Sequence, residues 1–195
     1  MFSRKGLNMS DEFKISLAQL NATVGDLSGN TQKVMEAWEI ARDQRSDLIA
    51  FPELFITGYN PQDLILKTAF QKAATSSIDQ IAKACAQGPA IAIGGPFYDE
   101  NKLYNSYYIL ADGKIQAVIK KHHLPNEEVF DEVRLFSSGN VDGPFQIGKM
   151  RIGSPICEDA WHRDIVETLA ETGAQTLLVP NGSPYYRGKT EIRQN

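Results

Sequence analysis

Short apolar segments alternate along the chain with segments in which apolar residues recur every third or fourth position. Residues 13–20, 47–51 and 90–95 have the length and composition of strands, and the last two are apolar on both faces. Such strands lie in sheets that are covered on each side. Between the first two, helical spacing predicts a helix over about residues 31–44, with Asn30 as its N-cap.

The second half of the chain continues this alternation of elements. The predicted elements are a helix that starts at a Ser77–Gln80 capping box and runs through Ala86, a hairpin over 104–120 that turns at Asp112 and Gly113, a strand region over 150–157, a helix over 163–172 and a strand over 176–180. Alternating strands and helices predict an α/β fold. In this class functional groups gather where strands end, and Glu53, Lys121 and Cys157 each follow a predicted strand.

Composition excludes several classes of protein. The 195 residues are 42% hydrophobic and 23% charged, with a net charge of −4, so we expect no binding to nucleic acid or to an anionic membrane. Two cysteines are too few for a disulfide framework and favour a reducing, cytoplasmic location. No apolar stretch reaches transmembrane length. Residues 1–12 lack the apolar core of a signal peptide and are predicted to be an extension before a domain over 13–195.

Cys157 is a candidate nucleophile in an unfavourable local setting. Glu158 and Asp159 follow it directly, and neighbouring negative charge opposes formation of a thiolate. A base and a cation must therefore come from elsewhere in the chain, or Cys157 is simply a buried small side chain. Glu53, flanked by apolar residues, is a candidate general base, and Lys121 can supply the cation if it faces inward while Lys120 faces solvent.

Other chemistries of Cys157 are less well supported. A Cys–His pair with one of the three histidines, His122, His123 or His162, would resemble a thiol protease, but the local signature of that class is missing. The spacing from Cys157 to Arg163 matches a cysteine phosphatase, yet two carboxylates in the loop would repel phosphate. We predict no metal site, because adjacent His122 and His123 would point in opposite directions on a strand.

The three strand-end residues resemble the nitrilase (carbon–nitrogen hydrolase) superfamily. Glu53 in "FPELFITGY", Lys121 in "KKHHLP" and Cys157 in "ICEDAW" occur in the order Glu, Lys, Cys of that superfamily. The segments "KHHLPN", "VFDEVRLF" and "NGSPYYRGK" are similar to the glutaminase domain of glutamine-dependent NAD synthetases. The resemblance covers about residues 13–195.

The resemblance implies a four-layer αββα sandwich and the hydrolysis of glutamine through a cysteine thioester. It implies that Cys157 attacks the amide carbon, that Glu53 carries protons, and that Lys121 stabilises the oxyanion with a backbone N–H next to the cysteine. The implied supporting residues are Glu132 and Glu158, and those implied to bind substrate are Ser183, Lys189 and Glu127. The domain itself would need no cofactor, whereas a synthetase domain would use ATP and Mg.

Two departures from the family pattern keep alternatives open. Glu127 stands where the relatives usually carry a tyrosine, and its carboxylate would repel the carboxylate of glutamine. The relatives also continue past the "NGSPY" segment, so we expect a C-terminally truncated sandwich without the ATP-binding domain, and a homo-oligomer. The alternatives are an amidase for another small amide and a non-catalytic remnant that binds a partner.

Overall fold

Among the residues that the structure describes, five strands form the larger of two sheets. The structure is a computed structural model that describes residues 12–127, 129–183 and 187. Along the sheet the strands follow their order in the chain: β1 (Ile15–Leu17), β2 (Leu48–Ala50), β3 (Ala90–Asp99), β4 (Lys102–Ala111) and β5 (Lys114–Lys120). The first three are parallel and the last two antiparallel. Asp112 and Gly113 turn the hairpin with φ of 53° and 78°, the type I′ geometry predicted for it.

Three short strands form the second sheet. They are β6 (Phe145–Ile147), β7 (Met150–Gly153) and β8 (Thr176–Leu177), with β7 in the centre. The sequence analysis predicted β7 and β8 but not β6, whose three residues are too few for a recognisable pattern.

Three of the four α-helices in the described residues cover the outer faces of the two sheets. In chain order the four helices are α1 (Leu27–Asp43), α2 (Thr68–Ala84), the single turn α3 (Glu132–Leu135) and α4 (Arg163–Glu171). Ile91 and Ile93 of β3 pack against α1 and α2, whereas Ala90 and Ala92 face the second sheet. Leu169 of α4 covers the far side of β7.

The order of layers is therefore helix, sheet, sheet, helix, and the predicted αββα sandwich is confirmed. None of the helices in the described ranges is long and apolar enough to cross a lipid bilayer.

Two of the three predicted helix starts were wrong, whereas the start predicted at Arg163 is confirmed by α4. Asp26 caps α1 by accepting a 2.8 Å hydrogen bond from Gly29 N, while the side chain of Asn30 is buried and bonded to Thr23 and Ile56. Ser77 lies inside α2, which begins nine residues earlier without a side-chain cap. These residue types are therefore not by themselves a helix start, because the side chain of Asn30 bonds to other segments and that of Ser77 bonds to the preceding turn of its own helix.

Candidate active site

Three strand ends bring Glu53, Lys121 and Cys157 into the interior between the sheets. Glu53 follows β2, Lys121 follows β5 directly, and Cys157 begins a turn of 3-10 helix after β7. Their exposed fractions are 1%, 0% and 4%, although each is polar. Lys120 is partly exposed and lies 3.1 Å from Asp99, so the two lysines do face in opposite directions as predicted.

A close approach to β3 fixes the backbone that carries Glu53. A Cβ added at Gly94 would lie 2.1 Å from Leu54 N and 2.7 Å from Pro52 O. Leu54 itself adopts a φ of 47°, in the left-handed region that most side chains avoid. Only a glycine at position 94 leaves room for this turn, so a residue on a neighbouring strand decides where the Glu53 carboxylate lies.

The Glu53 carboxylate is held by three donors. Lys121 Nζ lies 2.7 Å from Glu53 Oε1, and Asn105 Nδ2 donates to the same oxygen over 2.8 Å. Gly182 N donates to Glu53 Oε2 over 2.7 Å. Lys121 Nζ also lies 2.9 Å from Glu132 Oε2, so one ammonium bridges two buried carboxylates.

This arrangement keeps Lys121 charged. Burial disfavours the ammonium, but the negative charges of Glu53 and Glu132 outweigh burial and raise the pKa of Lys121 above its ordinary value. Burial also raises the pKa of Glu132, although Lys121 opposes that effect. Lys121 can therefore act as a fixed cation, and it is poorly suited to accept a proton.

Two further residues of the cluster were missed by the sequence analysis. Asn105 is fully buried on β4, and the hydroxyl of Tyr59 donates to Glu132 Oε1 over 3.1 Å. Asn105 did carry a signal, because it is an amide within a strand whose neighbours are buried. Tyr59 carried none, since a tyrosine in a loop after a strand has many ordinary explanations.

Cys157 sits in a constrained backbone beside this cluster. Its φ is 48°, and its N–H donates to Pro180 O over 2.9 Å. Sγ lies 3.7 Å from Ser183 Oγ. Burial, followed by the charge of Glu53, raises the pKa of the Cys157 thiol to about 11, and Lys121 and Ser183 offset only part of this rise. The resting thiol is therefore neutral near pH 7 and needs a base in order to react.

The two acids after Cys157 do not point at the sulfur. Glu158 lies 3.3 Å from His162, at the surface. Asp159 is buried and accepts N–H groups from His123 at 2.7 Å and from Ile156 at 3.1 Å, so its carboxylate ties the segment after β5 to the cysteine turn. Glu158 was implied as a supporting residue, and its carboxylate makes a separate surface contact.

The histidines lie together on the surface. The rings of His122 and His123 are 4.7 Å apart, and His162 stacks on His123 at 3.7 Å. The prediction that His122 and His123 point in opposite directions was wrong, because β5 ends at Lys120 and the alternation of a strand no longer applies. Arg163, the arginine of the phosphatase-like spacing, is exposed and pairs with Glu167.

The residues implied to bind substrate lie in different places. Ser183 lines a cavity of about 240 Å³ together with Glu53, Tyr59 and Gly182. Glu127 is exposed and lines a separate cavity of about 490 Å³ with His123 and Glu158. Lys189 falls outside the described residues.

Comparisons with known proteins agree with this geometry. A family model described as carbon-nitrogen hydrolase matches residues 14–194. The chain is 50% identical over 186 residues to the glutamine-dependent NAD(+) synthetase of Rhodobacter capsulatus and 38% identical over 183 residues to that of Aquifex aeolicus. The alignments cover 95% and 93% of this chain but 34% and 32% of those proteins, so the chain spans about a third of their length.

Solved structures give the same picture. The glutamine-dependent NAD+ synthetase of Acinetobacter baumannii, in complex with ADP, matches with a TM-score of 0.88 and 36% identity, over 93% of this chain and 34% of that one. An amidase from Nesterenkonia sp. matches with a TM-score of 0.79 and 23% identity, over 91% of this chain and 68% of that one. At this identity the similarity shows a shared fold and nothing further. With the family model matching nearly its whole length, this chain belongs to the carbon–nitrogen hydrolase family.

Proposed function

We propose that this chain is a glutaminase domain that hydrolyses glutamine to glutamate and ammonia through a thioester on Cys157. The observation that carries the proposal is the buried ion cluster of Glu53, Lys121 and Glu132 beside a neutral, buried thiol. Acyl transfer by a thiol needs a base, a fixed positive charge and little water, and this cluster offers all three.

Acylation begins with a proton transfer from Cys157 Sγ to the carboxylate of Glu53. The sulfur then forms a bond to the amide carbon of the substrate, and the negative charge moves to the amide oxygen. Lys121, which stays an ammonium, stabilises that oxygen together with the peptide N–H of Glu158. When the carbon–nitrogen bond breaks, Glu53 returns the proton to the nitrogen and ammonia leaves.

Deacylation reuses the same carboxylate. Glu53 takes a proton from water, the oxygen of the water attacks the thioester carbon, and the carbon–sulfur bond breaks. The proton returns to the sulfur, so glutamate leaves and the thiol is restored. Glu132 and Tyr59 act as positioning residues, because Glu132 binds the ammonium of Lys121 and Tyr59 donates a hydrogen bond to Glu132.

Glutamine is the proposed substrate because the curated relatives described above are named for its use. Ser183, next to Sγ, contacts the substrate in this proposal, and Lys189 and Glu127 remain proposed binding residues. The ammonia would pass to a synthetase domain that uses ATP and Mg, as part of a longer protein or as a partner. Two free thiols fit the reducing cytoplasm as the location.

The direct test is the release of glutamate from glutamine by the purified chain. We expect release by the unchanged chain and none by the Cys157→Ala variant, with Cys85→Ala as the matched control because that second cysteine lies in the helix-facing core. Release that persists in Cys157→Ala would contradict the mechanism.

An amidase for another small amide is the second candidate, since Glu127 stands where the relatives usually carry a tyrosine and, as the substrate contact that the resemblance implies, would repel the carboxylate of glutamine. A panel of short aliphatic amides separates the two candidates. Hydrolysis of these amides without glutamine hydrolysis would favour the second candidate, and a folded chain that hydrolyses none of them would favour a non-catalytic remnant.

A further inference from the structure

All three histidines of the chain converge on one surface patch that the proposed reaction does not use. His122 and His123 follow β5, and His162 precedes α4. One ring nitrogen each of His122 and His123 and one carboxylate oxygen of Asp164 lie within 4.8 Å of one another. We propose that His122, His123 and Asp164 form a binding site for a divalent transition-metal ion such as Zn²⁺.

The donor set suits an ion of borderline softness. Two imidazoles and a carboxylate are typical zinc ligands, and water would fill the remaining position. His123 Nε2 lies 3.2 Å from Asp164 Oδ2, which matches the spacing of roughly 3.3 Å between neighbouring ligands around a tetrahedral zinc ion. The wider spacing to His122 closes with a movement of roughly 1–2 Å on binding.

The ring of His122 is oriented by its surroundings. Its Nδ1 lies 2.7 Å from Gly139 O, and as the donor in that bond it leaves the lone pair of the ring on Nε2. A backbone carbonyl on one ring nitrogen is the usual arrangement for a histidine that binds metal through the other nitrogen.

The backbone beneath the patch is fixed as well. Asp159, which is buried, accepts the N–H groups of His122 and His123 at 3.1 and 2.7 Å. The stacked ring of His162 limits the movement of His123 from the other side. The two histidines therefore lose little conformational freedom on binding, which favours affinity.

An ion at this site would join two distant parts of the chain. His122 and His123 follow the last strand of the larger sheet, whereas Asp164 lies in the first turn of the helix that covers the smaller one. Bound metal should therefore raise the thermal midpoint of unfolding, because it binds the folded chain and not the unfolded one.

Isothermal titration calorimetry with Zn²⁺ tests the proposal. The Cys157→Ala chain is the parent for all variants, since a reactive thiol is itself a zinc ligand. We expect the parent to bind one ion and to unfold at a higher temperature with Zn²⁺. The variants His123→Gln and Asp164→Asn should each weaken binding at least about tenfold. His162→Phe is the matched control, because it keeps the stacked ring, and it should leave the affinity nearly unchanged.

Circular dichroism spectra without metal show which variants are folded, and only folded variants are compared. The proposal is overturned if the folded parent binds no Zn²⁺, or if binding survives undiminished in both His123→Gln and Asp164→Asn. A loss in His162→Phe equal to the loss in His123→Gln would overturn the assigned ligand set.

Discussion

At the residue scale, the site depends on one ammonium shared by two carboxylates. Lys121 is completely buried, and so are its partners Glu53 and Glu132. Two buried acids without a cation would repel each other and would lose their hydration uncompensated. The lysine therefore stabilises the fold as well as the proposed transition state, and the two contributions can be measured separately.

Replacing Lys121 with methionine keeps the apolar stem and removes the charge. We expect the free energy of unfolding to fall by about 3–5 kcal/mol, because two buried carboxylates lose their partner. The matched variant Lys120→Met breaks a partly exposed pair with Asp99 and the contacts of its ammonium with the rings of Tyr104 and Phe97, and it should cost no more than about 2 kcal/mol. Urea denaturation of the two variants measures the difference, and equal losses would contradict the assignment.

The thiol of Cys157 should react slowly with iodoacetamide near neutral pH. Because its pKa is raised from 9.0 to about 11, the thiolate fraction of the folded chain stays below that of an ordinary cysteine until the pH passes the raised value. The alkylation rate, followed by mass spectrometry of the Cys157 peptide, should keep rising to about pH 11.

The unfolded chain in urea is the control for this profile, and its rate should level off at a lower pH. In Lys121→Met the profile should shift further upward, since the ammonium lowers the pKa of the thiol. A folded-state plateau at or below pH 9 would contradict the prediction.

The sequence predicted the three central residues because strand ends are visible in the pattern of apolar residues. It placed Glu53, Lys121 and Cys157 after strands, and the structure buries all three. Asn105 and Tyr59 could not be assigned in this way, because their roles depend on contacts between distant parts of the chain. Asn105 bonds to Glu53, at a separation of 52 residues, and Tyr59 bonds to Glu132, at a separation of 73 residues. Such contacts exist only once the sheets have packed.

At the scale of elements, β3 packs against the loop that carries Glu53 and determines its path. Gly94 lets the backbone of Pro52 to Leu54 pass directly over the strand. We expect Gly94→Ala to lower the free energy of unfolding by about 1–3 kcal/mol and to reduce the proposed glutaminase activity, because the new methyl group displaces Glu53. Chemical denaturation and glutamate release measure the two effects.

Gly143→Ala is the matched control for this variant. A Cβ at Gly143 would meet nothing within 4 Å, and the residue lies in a loop. The free energy of unfolding of Gly143→Ala should stay the same or rise slightly, because alanine lowers the conformational entropy of the unfolded chain. Activity in Gly94→Ala equal to that of Gly143→Ala would show that the close approach does not position the carboxylate.

Strands and the hairpin were easier to predict than helix starts. Asp112 and Gly113 specify their turn locally, through two positive φ angles. The start of α2 has no local sequence signal, since the N-cap residue Lys67 makes no side-chain hydrogen bond to the first turn. Its position is set by packing, with Ile78 and Ile81 buried against the larger sheet.

At the scale of the whole molecule, the chain buries one sheet against another and covers both with helices. The pattern of apolar residues predicted the α/β class, but the order of four layers came from the family resemblance. Periodicity along a strand shows that both faces are buried and does not show what covers each face. That information lies in pairings between distant segments.

The larger sheet ends at β1 in the part of the chain that the structure describes, and Leu17 on that strand is 72% exposed. An exposed apolar edge favours pairing between copies, which agrees with the expected homo-oligomer. We expect Leu17→Lys to weaken self-association, measured by sedimentation velocity over a range of concentrations.

Val133→Lys is the control, since Val133 is 58% exposed on the short helix α3 and on neither sheet. Equal sedimentation of the two variants and the unchanged chain would contradict a role for this edge.

The buried cluster of two carboxylates and one ammonium also affects how the reaction responds to salt. In the proposed acylation a proton moves from the Cys157 thiol to Glu53, so the summed charge of the pocket is the same before and after. Glu53, Lys121 and Cys157 are buried, so dissolved ions are kept away from them. The proton transfer also creates no additional net charge that those ions could screen. The chemical step should therefore proceed at nearly constant rate as ionic strength rises, and single-turnover measurements in increasing sodium chloride would expose any charge that the pocket gains.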